Sequence, residues 1–178
     1  MDSLKIGRPL SSEYAPHARG YVDLVKGDDL IHLLSEQLKE TVALVEPLGD
    51  DYASIFRYEP GKWTVKEIIG HLSDCERIFA YRMLRLGRQD TTPLPPFEQN
   101  GYVAAAGSNH SPLHNLLQEF KAVRTSTLWL LRGLPSEAWA RSGRVSDWTV
   151  TVRGIAFTAA GHELHHRKIL RERYLPRR

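Results

Sequence analysis

The sequence predicts an all-α protein: a four-helix bundle with a long crossover between its second and third helices. Three observations carry that expectation. Four stretches repeat apolar residues at three- and four-residue steps, the period of a helix that buries one face. Strand-like alternation is scarce. The segment Arg88–His110, with prolines at 93, 95 and 96 and glycines at 101 and 107, is longer than a tight antiparallel turn needs. A connection of that length suits a crossing over the end of a bundle, between neighbouring helices that run in the same direction.

The first helix is expected over Asp29–Val45, on the stripe Leu30, Leu34, Leu38, Val42 and Val45. Asp28 or Asp29 caps it, and Pro47 with Gly49 stops it. The second starts at Thr64, where Thr64-Val65-Lys66-Glu67 has the form of a capping box, and runs to Gly87. Its stripe is Val65, Ile68, Leu72, Cys75, Phe79, Met83 and Leu86. The third begins at Ser111-Pro112, a cap followed by proline in the first turn, and ends at Gly133. The fourth begins near Thr151 and closes around Tyr174, ahead of Pro176. Residues 1–27 read as an N-terminal extension and 28–175 as one domain.

The second and fourth helices echo one another. Thr64-Val65-Lys66-Glu67-Ile68 resembles Thr151-Val152-Arg153-Gly154-Ile155, and a glutamate falls twelve residues past each first threonine, Glu76 and Glu163. A pseudo-symmetric pair of helices would account for this.

Composition bounds the function. With 178 residues, 42% hydrophobic and 25% charged, the chain has the make-up of a globular domain with a full core. No apolar run approaches the ~18 residues of a spanning helix, and no signal-peptide order opens the chain. A single cysteine, Cys75, excludes an internal disulfide framework and fits a reducing, cytoplasmic setting. The net charge of +3 is mildly basic, concentrated in Arg167, Lys168, Arg171, Arg173, Arg177 and Arg178. No basic recognition helix with interleaved aromatics appears, so neither a nucleic-acid nor a membrane partner is expected.

The chemistry gathers on histidines. On a wheel of about 100° per residue, His162 and His166 lie within roughly 40° of the line through Ile155, Ala159 and Ile169, on the buried stripe of the fourth helix. Imidazoles at i and i+4 that face a core suit a divalent metal held between them. His71, at the border of the second helix's stripe, is the candidate third ligand. Three neutral histidines leave open positions on Zn²⁺ or Ni²⁺, the pattern of a catalytic site. His165, about 80° off the stripe, is a candidate to touch substrate or support a ligand. Glu163 and Asp74 are the carboxylates placed to orient imidazoles or move protons, with a surface role as the alternative. Cys75 is a metal ligand, a reactive thiol or an inert core residue, and as a fourth ligand it would close the metal's shell. Arg124 falls in the middle of the third helix's apolar stripe. An inward guanidinium requires either a carboxylate pair or a substrate anion. Phe97, Asn100 and Tyr102 in the crossover are candidates to line the site.

The segments Lys62–Glu76 and His162–Arg167 resemble the two signature regions of the DinB/YfiT-like superfamily. Pro96–Tyr102 and the Arg124 helix are similar to its central part, so the resemblance covers about 28–174. It implies a four-helix bundle of up-down-down-up topology, often dimeric, with a divalent metal on three histidines. By position these are His71, His162 and His166. Many relatives have glutamine after the last motif, where this chain has Lys168. The resemblance further implies a metal-dependent enzyme, first a thiol-dependent S-transferase joining a low-molecular-weight thiol to a small electrophile, and second a hydrolase. In such an enzyme Arg124 or His165 would meet substrate, and Glu163 would orient ligand rings or move protons. The contrasting expectation is a non-catalytic bundle whose metal only staples two helices.

Overall fold

A computed structural model describes residues 6–175 of the chain; Pro176 and the last two arginines of the basic tail lie outside the described residues. Seven helices and one hairpin follow in order: α1 (Arg19–Val22), α2 (Leu30–Val45), α3 (Asp50–Ile55), α4 (Val65–Gly87), α5 (Gln99–Ala106), α6 (Leu113–Arg132), β1 (Ser142–Val145), β2 (Trp148–Thr151) and α7 (Val152–Ile169). A π-helical turn, Leu170–Tyr174, continues α7.

The four long helices α2, α4, α6 and α7 form the bundle, with α4 and α2 each packed against both α6 and α7. Two apolar clusters fill its ends. One joins Leu30 and Leu34 of α2, Met83 and Leu86 of α4, Leu128 and Leu131 of α6, and Ile155 and Ala156 of α7. The other joins Val42 and Val45, Val65 to Leu72, Leu113 to Phe120, and Leu170 with Tyr174. The start of α4 therefore lies with the start of α6, the end of α2 and the end of α7. It follows that α4 and α6 run one way and α2 and α7 the other.

Local chemistry sets the helix starts. Asp29 accepts from His32 N–H at 3.0 Å, and Thr151 accepts from Gly154 N–H at 3.0 Å. Thr64 and Glu67 form the expected capping box, with reciprocal bonds of 2.7 and 3.1 Å. The start of α6 differs from expectation. Pro112, which has no capping side chain, holds the cap position, and the Leu113 N–H donates instead to Asp50 Oδ1 at 2.6 Å. Asp50 also accepts from the buried Lys66 ammonium at 2.8 Å, so one carboxylate ties α3, α4 and α6.

Two further departures concern segments expected to be irregular. The crossover carries α5, capped by Glu98 through the N–H groups of Asn100 and Gly101. Residues 142–151 form an antiparallel hairpin, with Val145 opposite Trp148, and Leu94 of the crossover pairs along its edge. Its strands are four residues each, too short for alternation to register.

The segment before α2, expected to be an extension, belongs to the core. Val22 and Val25 are 1% exposed. It lies on α7 where two glycines, 154 and 161, admit it. A Cβ at either position would stand 2.0 Å from a carbonyl oxygen, of Glu13 and of Tyr21 respectively. Glu13 secures the contact through Arg153 at 2.7 Å and Thr151 at 3.1 Å.

Candidate metal centre

Between the two apolar clusters the bundle has a polar waist, made of two adjoining groups.

The first is a buried ion-pair cluster. Arg124 is 1% exposed. Its Nε and Nη2 donate to Glu76 at 2.7 and 3.0 Å, its Nη1 donates to Leu34 O at 2.9 Å, and its Nη2 lies 2.7 Å from Glu163 Oε2. Thr41 Oγ1 donates to the other Glu163 oxygen at 2.7 Å. Burial alone would depress the Arg124 pKa; Glu163 and Glu76 outweigh it and raise it above its ordinary value. The two glutamates of the internal echo thus grip one guanidinium. Arg124 is occupied by carboxylates, which removes the substrate-clamp reading, and both Glu163 oxygens are engaged away from the imidazoles. Neither residue lines any of the three main pockets among the described residues.

The second group is His71 on α4 with His162 and His166 on α7. Their Nε2 atoms converge: His71 to His162 is 3.0 Å and His166 to His162 is 3.2 Å. Each residue offers a nitrogen within 4.8 Å of the others, and among the described residues no carboxylate or thiol joins the group. Three imidazole nitrogens gathered this closely, with no carboxylate or thiol among them, suit a divalent cation that His71, His162 and His166 would hold together. The three rings are 3%, 6% and 8% exposed. Burial pushes the His71 pKa down to about 4. Burial, reinforced by His71 and His165, takes His162 to about 3. His166 is likewise held well below its ordinary value by burial, with His162, His71 and His165 adding to it. All three are neutral at pH 7, the form that ligates.

Aromatic rings fix the imidazoles in place. Trp63 stacks on His166 (centroids 6.2 Å apart, 19° between planes) and tilts over His71 at 4.7 Å. Phe79 and Tyr21 meet His162 edge-on at 5.8 and 5.4 Å. Tyr174 Oη anchors Trp63 by donating to its carbonyl at 2.5 Å.

The other candidates are placed as follows. His165 is half-buried beside Tyr21 at 5.4 Å and adjoins His166, but lines none of the three main pockets. Burial, with Lys168 nearby, lowers its pKa. Cys75 Sγ lies 3.6 Å from both ring nitrogens of His71, over the ring. Burial foremost, with Asp74 and Glu76 adding and Arg82 opposing, pushes its thiol up to about 12, so it stays protonated. Asp74 pairs with Arg77 at 3.5 Å and is not part of the histidine group.

Two clefts flank the histidines, bridged by the crossover. One, about 260 Å³, is mostly apolar and includes Phe79, Pro96 and Phe97. The other, about 280 Å³, includes His166, Trp63, Lys62, Tyr58 and Asn100. Phe97 and Asn100 thus each line a cleft beside the site. Tyr102 packs on Phe97 at 5.4 Å and borders a separate groove with Asp74. Sequence reasoning left out Trp63, Tyr21 and Phe79 as site walls. Trp63 carried a usable signal, since an apolar residue just before an N-cap packs toward the first turn; both Trp63 and Ile68 line the second cleft. Tyr21 carried none, because it reaches His162 only through the tertiary contact at Gly161.

Comparison with known proteins agrees with this architecture. A protein of Bacillus pumilus named "putative metal-dependent hydrolase" is 27% identical over 112 residues, covering 61% of this chain and 63% of that protein. The chain therefore matches less than two thirds of that relative's length. The structure of YfiT from Bacillus subtilis, described as "a probable metal-dependent hydrolase with an unusual four-helix bundle topology", superposes with a TM-score of 0.73 at 20% identity. The match covers 94% of this chain and 97% of that one. The profile of the DinB superfamily spans residues 33–170, from the first bundle helix through all three converging histidines. A bundle of this architecture, matched over that span, places the chain in the DinB superfamily.

Proposed function

We propose that this chain is a metal-dependent enzyme in which His71, His162 and His166 hold a divalent cation, Zn²⁺ or Ni²⁺, that activates a small nucleophile. The observation that carries the reading is the convergence of three buried imidazole nitrogens at 3.0 and 3.2 Å, with no fourth protein ligand among the described residues. A cation with open positions lowers the pKa of a bound thiol or water to near neutrality. The protein's own part is to hold the three rings neutral by burial and to fix their planes between Trp63, Phe79 and Tyr21. The bundle core behind them excludes water.

Transfer of a low-molecular-weight thiol to a small electrophile is the first reading. Two separate clefts beside one metal site suit a reaction of two substrates, the polar one for the thiol and the apolar one for the electrophile. Hydrolysis is the second reading, supported by the names of the Bacillus relatives. The lack of a thiol or carboxylate in the ligand group argues against a purely structural metal, whose shell is closed by protein.

The experiment is a paired assay of zinc- and nickel-loaded protein. A small thiol is presented with a chromogenic aryl halide, and in parallel a chromogenic ester is presented alone. Thiol-dependent turnover that disappears in His166→Ala supports transfer. Ester cleavage without thiol, lost in the same variant, favours hydrolysis. Turnover unaffected by His166→Ala contradicts both.

A further inference from the structure

Arg82 is a half-buried arginine without a counter-charge. It extends the α4 stripe that carries His71, Cys75 and Phe79. The arginines on either side of it are paired, Arg77 with Asp74 and Glu119, Arg85 with Asp90. Arg82 has no carboxylate within 4.0 Å among the described residues. Its guanidinium sits over the Phe97 ring, 5.6 Å from the centroid, and its Nη2 donates to Pro95 O at 2.8 Å. A guanidinium offers five N–H donors; that carbonyl is its one acceptor among the described residues.

The cleft it lines is built for an apolar body. Phe79, Phe97, Val145, Val150 and Ile155 contribute to the wall, and hydroxyls enter through Ser146 and Thr158. No aspartate or glutamate is among the lining residues; the basic side chains are Arg82 and His17. The cleft opens along the α4–α7 seam, and Phe79 is both its wall and the edge-on neighbour of His162. Thr158 lies one turn before His162 on α7.

We propose that this cleft binds a small organic acid, its carboxylate taken by Arg82, its apolar body packed on Phe97 and the hairpin, and its other end directed past Phe79 toward the histidines. The inference rests on the metal-centre reading only for which end reacts. The recognition of the acid depends on Arg82 alone. Unpaired, partly desolvated and pre-oriented by Pro95 and Phe97, this guanidinium suits a planar carboxylate in a fork of two hydrogen bonds.

The test titrates 3-phenylpropionate and its neutral isostere 3-phenylpropionamide into metal-free and zinc-loaded protein, followed by calorimetry and ligand-observed NMR. The expected result is that the acid binds the metal-free protein about tenfold tighter than the amide, as a charge-assisted hydrogen bond provides. Arg82→Gln should erase the difference, whereas Arg82→Lys, which keeps the charge, should retain part of it. Equal binding of acid and amide overturns the proposal. So does a preference that survives in Arg82→Gln, or no detectable binding of either probe. Because the preference is read in the metal-free form, a failure of the protein to take up zinc would sink the metal reading and leave this result standing on its own.

Discussion

Arg124, a fully buried charge, is held by two glutamates from different helices, and this defines what its replacement does. Arg124→Ala would leave Glu76 and Glu163 buried without a counter-charge, and such a break costs about 3–5 kcal/mol. The expected outcome is a large fall in the chemical-denaturation midpoint; a change confined to substrate KM would contradict the assignment. The histidines carry a pH dependence of their own. Their folded-state pKa values, about 4 for His71 and about 3 for His162, lie below the ordinary 6.5, so protons bind the unfolded chain preferentially. Stability of the metal-free protein is therefore whole above about pH 6.5 and is lost progressively as the pH falls toward 4. Thermal melts of wild type and His162→Phe across that range should diverge as the pH drops, with the variant flatter. At this scale the sequence was informative where spacing decides direction. His162 and His166 at i and i+4 had to share a face, and His71 bordered a stripe. It was silent on Arg124, where a carboxylate pair and a substrate anion give the same inward-facing arginine. Only the positions of Glu76 and Glu163 in space separate them.

At the scale of elements, the close approach of the segment Glu13–Val22 to α7 depends on side chains that are not there. A methyl at residue 161 would stand 2.0 Å from the Tyr21 carbonyl oxygen, against backbone that cannot swing aside as a flexible side chain would. Gly161→Ala should lift the segment, remove the Tyr21 edge from His162 and destabilise by about 1–3 kcal/mol, the range for overpacking. Faster amide exchange in residues 15–25 than in wild type checks this; unchanged exchange would mean the contact is not formed. Helix starts whose caps are local, Asp29, Thr64 and Thr151, were legible within a residue. The start of α6 falls one residue past the expected one, and its capping carboxylate, Asp50, comes from 63 residues away. The hairpin and α5 were missed because four-residue strands and an eight-residue helix are too short to show a period. The N-terminal segment looked like an extension because its partner is a pair of glycines on a distant helix.

Across the whole molecule, two apolar clusters close the ends of the bundle and concentrate its polar groups in the middle. The ion-pair cluster knits α2, α4, α6 and α7 together at that level. The histidines sit beside it on the α4–α7 seam, under the crossover. The length of that crossover was readable as a parallel α4–α6 connection, while the two clefts it creates depend on tertiary packing. The central claim is that the three histidines hold one divalent cation and leave positions on it open. Elemental analysis of wild type beside His166→Ala, followed by spectroscopy of the cobalt-substituted protein with and without a small thiol, tests it directly. The account predicts about one metal per chain, lost in the variant, with a cobalt spectrum that changes when thiol is added. No metal uptake by the wild type, or a cobalt spectrum indifferent to every added small ligand, would contradict it.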